Sequence, residues 1–194
     1  MPGLRERNIT TAKATIQTHA IGLFMRRGYS QTTVEQIAQA AEVSPRTFFR
    51  YFKTKEAVIL YDSIDPIIIS AFLKQPSHVP PIRAMRAAVR ELTKVLPLER
   101  QELELQRFEL LNSLPSLKDR AFGEMLAQID HFSETIARRA NKNPGDVAVR
   151  NLAGAIIGVV ITVLQQTYKN PTMAIYESEM DKALARLEKG LDFD

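Results

Sequence analysis

The chain has 194 residues, 45% of them apolar and 25% charged, with a net charge of +4 and no cysteine. That is the balance of an ordinary globular protein of one or two domains with a real core. The missing cysteine excludes disulfides, thiolate metal sites and a cysteine nucleophile.

The charge is uneven. Residues 1–55 carry nine Lys and Arg against three Asp and Glu, a net of +6, while residues 56–194 carry 17 against 19, a net of −2. A basic head on a near-neutral body is expected to meet a polyanion. No run of Val, Ile or Thr alternates as a strand would, so the chain is predicted to be all-α, with about nine helices. The N-terminus lacks a long apolar stretch, and no signal peptide is expected.

In chain order, the first helix is predicted to start near Thr10 or Thr11 and to stop at Gly28, a residue suited to a left-handed end. Its buried face is Ile16, Ala20, Leu23 and Phe24, at helical spacing. The second helix opens at Thr33, where "TVEQ" is a capping box: Thr33 bonds the Gln36 amide and Gln36 reaches back. Its inner face is Val34, Ile37, Ala38 and Ala41. The third opens at Ser44, with Pro45 in the first helical position. Only Glu42 and Val43 separate the two, which makes them a helix-turn-helix unit.

The third helix lies in "SPRTFFRYFKTKEAV", residues 44–58, where aromatic and basic side chains crowd together. Phe48 and Phe52 are four apart and can anchor the helix on Val34, Ile37 and Val43. Arg46, Thr47, Phe49, Arg50 and Tyr51 are then pushed outward or to the edges. A helix-turn-helix puts the start of its second helix nearest the base edges of the major groove. Ser44, Arg46 and Thr47 stand there, and Arg46 can bond guanine with two donors. Arg50 and Tyr51 suit phosphates. So does Lys55, at the start of a helix capped by Thr54. A solvated basic face and a membrane-surface helix are the competing readings. The capped pair, the tight turn and the charge asymmetry favour nucleic acid.

With these residues in view, "FMRRGYSQTTVEQIAQAAEVSPRTFFRYFKTKEAVIL" resembles the head of the TetR family of regulators. The matching text runs from Ile9 to Leu60, about a quarter of the chain by motif. Two positions depart from the pattern: Glu42 stands where the family often has glycine, and Phe49 where it often has tyrosine. The resemblance implies three DNA-binding helices followed by a larger regulatory part. It also implies a homodimer on a palindromic operator, let go when a small molecule binds. The domain division is placed at 1–54 and 55–194. Candidate DNA-binding residues are Thr33, Ser44, Arg46, Thr47, Phe49, Arg50, Tyr51 and Lys55.

The fourth helix is predicted to run from Thr54 toward Ser63 and past Pro66. "KQPSHVPP" is a loop, and further helices are expected at about 80–96, 99–113, 116–140, 146–169 and 172–190, punctuated by Pro97, Pro115, Pro144 and Pro171. The helix over 116–140 has a stripe of Phe122, Met125, Leu126, Ile129, Phe132 and Ile136. Met85, Phe108, Met125 and Phe132 are the candidate lining of an adaptable apolar pocket.

The run Ala153–Leu164 is apolar all round but only 12 residues long, against the roughly 20 that span a bilayer. It is therefore expected to be a buried helix of a cytoplasmic protein with no membrane partner. The last helix carries Tyr176, Met180, Ala183, Leu184, Leu187 and Leu191 as one stripe. Gly154, Gly158, Ile161, Leu184 and Leu187 are candidate dimer-interface residues, in a four-helix arrangement about a twofold axis, with one side of the apolar helix covered by its own domain and the other by a partner; the alternative is that both helices are simply core.

His19, His78 and His131 match no metal spacing, and no catalytic constellation is visible. No cofactor is expected, and the chain is not expected to be an enzyme. The leading expectation is a ligand-responsive, dimeric regulator that binds double-stranded DNA, most simply a repressor. The alternatives are an all-helical enzyme or carrier with an incidental basic head, and an architectural DNA-binding protein without effector.

Overall fold

A computed structural model describes the backbone of residues 4–167 and 172–190. Among the described residues there are ten helices and no strand: α1 (Leu4–Arg27), α2 (Val34–Ala40), α3 (Pro45–Tyr51), α4 (Lys55–Leu60), α5 (Asp65–Lys74), α6 (Pro81–Val95), α7 (Leu98–Ser113), α8 (Pro115–Ala140), α9 (Val147–Thr167) and α10 (Met173–Lys189). The all-α expectation holds. Pro171 and Leu191 lie outside the described residues.

Two boundaries differ from expectation for local reasons. α1 starts at Leu4, not at Thr10 or Thr11. The threonines of this stretch lie inside the helix. Further along, Thr15 Oγ1 donates to the Thr11 carbonyl at 3.1 Å and Thr18 Oγ1 to the Ala14 carbonyl at 3.0 Å. The predicted fourth helix is two helices. Tyr61 leaves the helical region at φ −60°, ψ 112°, and α5 begins afresh with Pro66 in its first turn. Proline fits the first turn of a helix, where its missing N–H has no intrahelical partner, so Pro66 suits a new start rather than the interior of a longer helix.

Backbone contacts divide the chain into two units: Met1–Ser63 with Glu102–Leu117, and Ile64–Gln101 with Lys118–Asp194. In the first, α1 packs on α2, α3 and α4, and α2 packs on α3. Ile16, Ala20, Ile21 and Phe24 of α1 are buried with Ile37, Ala38, Phe48, Phe52, Val58 and Ile59. In the second, α6 packs on α5 and α10, and α10 on α9. Its core joins Phe72, Met85, Phe132, Ile136, Ile156, Met180 and Leu184. The Phe72 and Phe132 ring centroids are 5.8 Å apart.

A second tie between α6 and α10 is ionic. Arg86 grips Asp181 with two hydrogen bonds, Nε–Oδ1 at 2.9 Å and Nη2–Oδ2 at 3.0 Å, and reaches Glu188 at 3.1 Å. Arg90 joins Asp181, and Arg83 joins Glu188. These partners hold both carboxyls below the usual carboxylate range: the Arg86 hydrogen bond is the main cause for Asp181, and the Arg83 hydrogen bond for Glu188. Arg139 closes the α5–α6 loop by donating to the carbonyls of Gln75, Pro76 and Val79.

Candidate nucleic-acid interface

The turn before the α2–α3 pair is fixed by its glycine and its caps. Gly28 ends α1 at φ +86°, the left-handed stop its position predicts. Thr33 caps α2: the Gln36 amide donates to Thr33 Oγ1 at 3.3 Å, and the Thr33 amide donates to Gln36 Oε1 at 3.0 Å. The α2–α3 turn follows a Schellman pattern. The Val43 amide reaches back to the Ala38 carbonyl and the Glu42 amide to the Gln39 carbonyl. This turn holds Glu42 at φ 54°, a left-handed conformation that glycine adopts without cost.

α3 has a buried and an open side. Phe48 is 0% exposed and Phe52 3%, so both are the anchors their spacing predicts. Their rings meet at 6.0 Å. Ser44 Oγ accepts the Thr47 amide at 3.1 Å and lies 3.0 Å from Thr47 Oγ1. The open side presents Ser44, Arg46, Phe49 and Arg50, with Thr47 and Tyr51 half-buried at its edges. Phe49 is 45% exposed. Arg50 lies over the Tyr51 ring and donates to its hydroxyl at 3.1 Å, so these two form one cationic edge. Arg46 is exposed, with no hydrogen bond or ion pair among the described residues.

Lys55 is the residue whose surroundings sequence spacing did not foresee. It is half-buried, and its ammonium donates to the carbonyls of Tyr29 and Thr32, both at 3.0 Å, over the Tyr29 ring. Two of its three donors therefore hold the α1–α2 turn. Beside it, the Tyr29 hydroxyl donates to Glu56, and this bond holds the Glu56 carboxyl below its ordinary value of 4.5. Lys53, exposed between α3 and α4, is a cation in this region that the motif reading passed over. Its only sequence signal was its place directly after the buried Phe52.

The other candidates separate. Met85 and Phe132 are 6% exposed and belong to the second unit's core. Met125 on α8 and Phe108 on α7 are half-buried, Phe108 lying in the first unit under the Arg107 guanidinium. Gly154 and Ile161 on α9 and Leu187 on α10 are half-buried, and Gly158 is exposed. Leu184 is 0% exposed, packed within its own chain, and offers no surface to a partner.

α9 runs over Val147–Thr167, close to the 146–169 expected. Its most apolar run has 12 residues, but the whole helix is long and apolar enough to cross a membrane by length and composition. Only 22% of its most apolar 18-residue window is buried in the chain. Among the described residues no cluster of three or more His, Cys, Asp or Glu could hold a metal ion.

A capped helix-turn-helix with a basic outer helix, in an all-α chain, defines a class of DNA-binding regulators. Residues 16–61 match the family described as bacterial regulatory proteins, tetR family, and residues 79–192 match the MftR C-terminal domain. The chain belongs to the TetR family of transcriptional regulators. It is 44% identical over 91 residues to the HTH-type transcriptional regulator TcmR of Streptomyces glaucescens, a stretch that is 46% of this chain and 40% of TcmR. It is 31% identical over 145 residues to RutR of Escherichia coli, 70% of this chain and 65% of RutR. The matched region thus spans less than two thirds of either relative. The solved structure of Thermus thermophilus FadR, a TetR-family repressor in complex with lauroyl-CoA, superposes with a TM-score of 0.55 at 26% identity, covering 94% of this chain and 96% of FadR.

Proposed function

We propose that this regulator is a cytoplasmic homodimeric repressor that binds a palindromic operator and leaves it when a small, largely apolar molecule binds. The carrying observation is α3, pinned from within by Phe48 and Phe52 while Arg46 is open to solvent. In this reading Ser44, Arg46 and Thr47 read bases at the start of the helix. Thr33, Arg50, Tyr51 and Lys53 hold phosphates, Lys55 adds its third donor, and Phe49 makes an apolar contact.

Residues 1–54 act as the DNA-binding domain and 55–194 as the effector and dimerisation domain. FadR was solved with lauroyl-CoA, whose acyl chain is of the apolar kind proposed for the effector. Met125, half-buried in the second unit, is the candidate to touch it. The relatives matched are themselves named as transcriptional regulators, which supports a binding protein over an enzyme.

The test is selection of duplexes from a random-sequence pool. The expected product is a palindrome whose half-sites lie about 34–36 Å apart, one helical turn. Arg46→Ala should weaken that duplex by about 1–3 kcal/mol and flatten discrimination at one base pair. Enrichment of no sequence, or equal loss on selected and random DNA, would overturn the reading. Calorimetry with lauroyl-CoA, with and without the selected duplex, probes the effector arm. Linked binding requires each to lower the affinity for the other by one factor.

A further inference from the structure

The open side of α3 is cationic except for one side chain. Phe49 is 45% exposed there. Arg46 stands three positions before it and Arg50 directly after it, both exposed, so the ring lies among cations. Residues three apart share a helix face, and Phe49 continues the stripe that Arg46 begins. The buried Phe48 ring supports it from behind. Their centroids are 5.5 Å apart and their planes stand at 87°, an edge-to-face pair. An apolar side chain alone on a surface is ordinary. One that is backed by a core ring and set between two arginines suits an anionic surface with an apolar spot in it.

The major groove is such a surface. Its walls are phosphates. Its floor offers donors, acceptors and a single apolar group, the C5-methyl of thymine. A phenyl ring has no donor for a phosphate and no polar atom for the other base edges. Only the thymine methyl gives it a contact in which both sides gain by leaving water. From Arg46 to Phe49 the helix rises about 4.5 Å, near the roughly 3.4 Å step between base pairs.

We propose that Phe49 is a specificity-determining residue that selects thymine by its methyl group, within about two base pairs of the pair read by Arg46. This rests on the DNA-binding reading above and deepens it. The operator then carries a thymine at that place in each half-site. Arg46 selects by hydrogen bonds and Phe49 by the removal of apolar surface from water, so the two discriminate independently.

The probe is the duplex that the wild-type protein selects from a random pool, remade with deoxyuridine at one thymine position of both half-sites at a time. Uracil keeps every hydrogen-bonding group of thymine and lacks only the methyl. At one position, beside the pair that Arg46→Ala leaves unread, the exchange should weaken wild type about tenfold, for one buried methyl per half-site. At that position 5-methylcytosine should also bind better than cytosine, because the methyl returns at C5. Phe49→Ala should bind the thymine and uracil duplexes within about twofold of each other. Phe49→Leu, still apolar, should keep most of the preference. Both variants should keep the helical circular dichroism of wild type.

Indifference of wild type to deoxyuridine at every thymine overturns the proposal, as does a selected half-site with no thymine beside the Arg46 pair. A methyl preference that survives in folded Phe49→Ala belongs to another residue and overturns it too. If Phe49→Ala does not fold, Phe49→Gln, polar and of similar reach, takes its place in the same comparison. If wild type selects no duplex, the function itself is wrong and this inference falls with it. If it selects one and the methyl makes no difference, the Phe49 role alone is wrong.

Discussion

Lys55 shows how a residue type can suit two roles that geometry separates. Near the start of a helix, a lysine in a basic stretch reads as a phosphate ligand. Here its ammonium donates to two turn carbonyls, and that of Tyr29 also accepts the Thr32 amide at 3.3 Å. Lys55→Met should therefore lower stability by about 2 kcal/mol, because two charged hydrogen bonds to the turn are lost. Chemical denaturation measures this, and unchanged stability would return Lys55 to a purely DNA-facing role. Glu42 makes the opposite case. It occupies a left-handed position that costs a non-glycine residue about 1–2 kcal/mol. Glu42→Gly should stabilise the chain by about 0.5–1 kcal/mol, the remainder being offset by glycine's freedom in the unfolded chain. A lower denaturation midpoint would show that the Glu42 side chain contributes more than its backbone costs.

Among the elements, α6 and α10 are joined twice, by apolar packing and by the arginine ladder of Arg83, Arg86 and Arg90. The ladder makes a pH prediction. Asp181 and Glu188 have folded values below their ordinary 3.8 and 4.5, and Glu56 in the head is lowered in the same sense. A carboxyl that is more acidic when folded adds stability that is complete above its unfolded value and lost as pH falls through the folded one. Melting temperature should therefore be flat with respect to these groups at neutral pH and decline once pH passes below about 4.5. Asp181→Asn should flatten part of that decline. An acid limb identical in the variant and the wild type would place the loss elsewhere.

For the whole molecule, the informative element is α9, apolar over most of its length and little covered by its own chain. A Cβ built at Gly158 or Gly154 meets no atom within 4 Å, so a single chain would accept a side chain there. In a monomer, Gly158→Ala should raise stability by up to about 1 kcal/mol, the usual helix gain over glycine. In the proposed dimer the same site is a close helix contact, and Gly158→Leu should push the partner away. Light scattering should then show a folded chain that has become monomeric or dissociates at higher concentration. A Gly158→Leu protein that stays fully dimeric would move the interface off this face.

Sequence by itself determined the all-α class, the caps at Thr33, Ser44 and Thr54, the stop at Gly28 and the inward turn of Phe48 and Phe52. These are local: a cap reaches three residues and a helical face repeats within four, so neighbours in sequence carry the whole cause. The head's charge excess and its motif were legible for the same reason. Only the tertiary structure decided what lies behind the surface. It set Lys55 against the 29–32 turn, closed Arg107 on Ile59 and Asp62, took Leu184 and Phe132 into the core and left α9 open. Each of those outcomes joins residues tens of positions apart or depends on which helix covers which face. A stripe of apolar side chains states that a face will be buried, but not against what. That choice belongs to the packing of all the helices together.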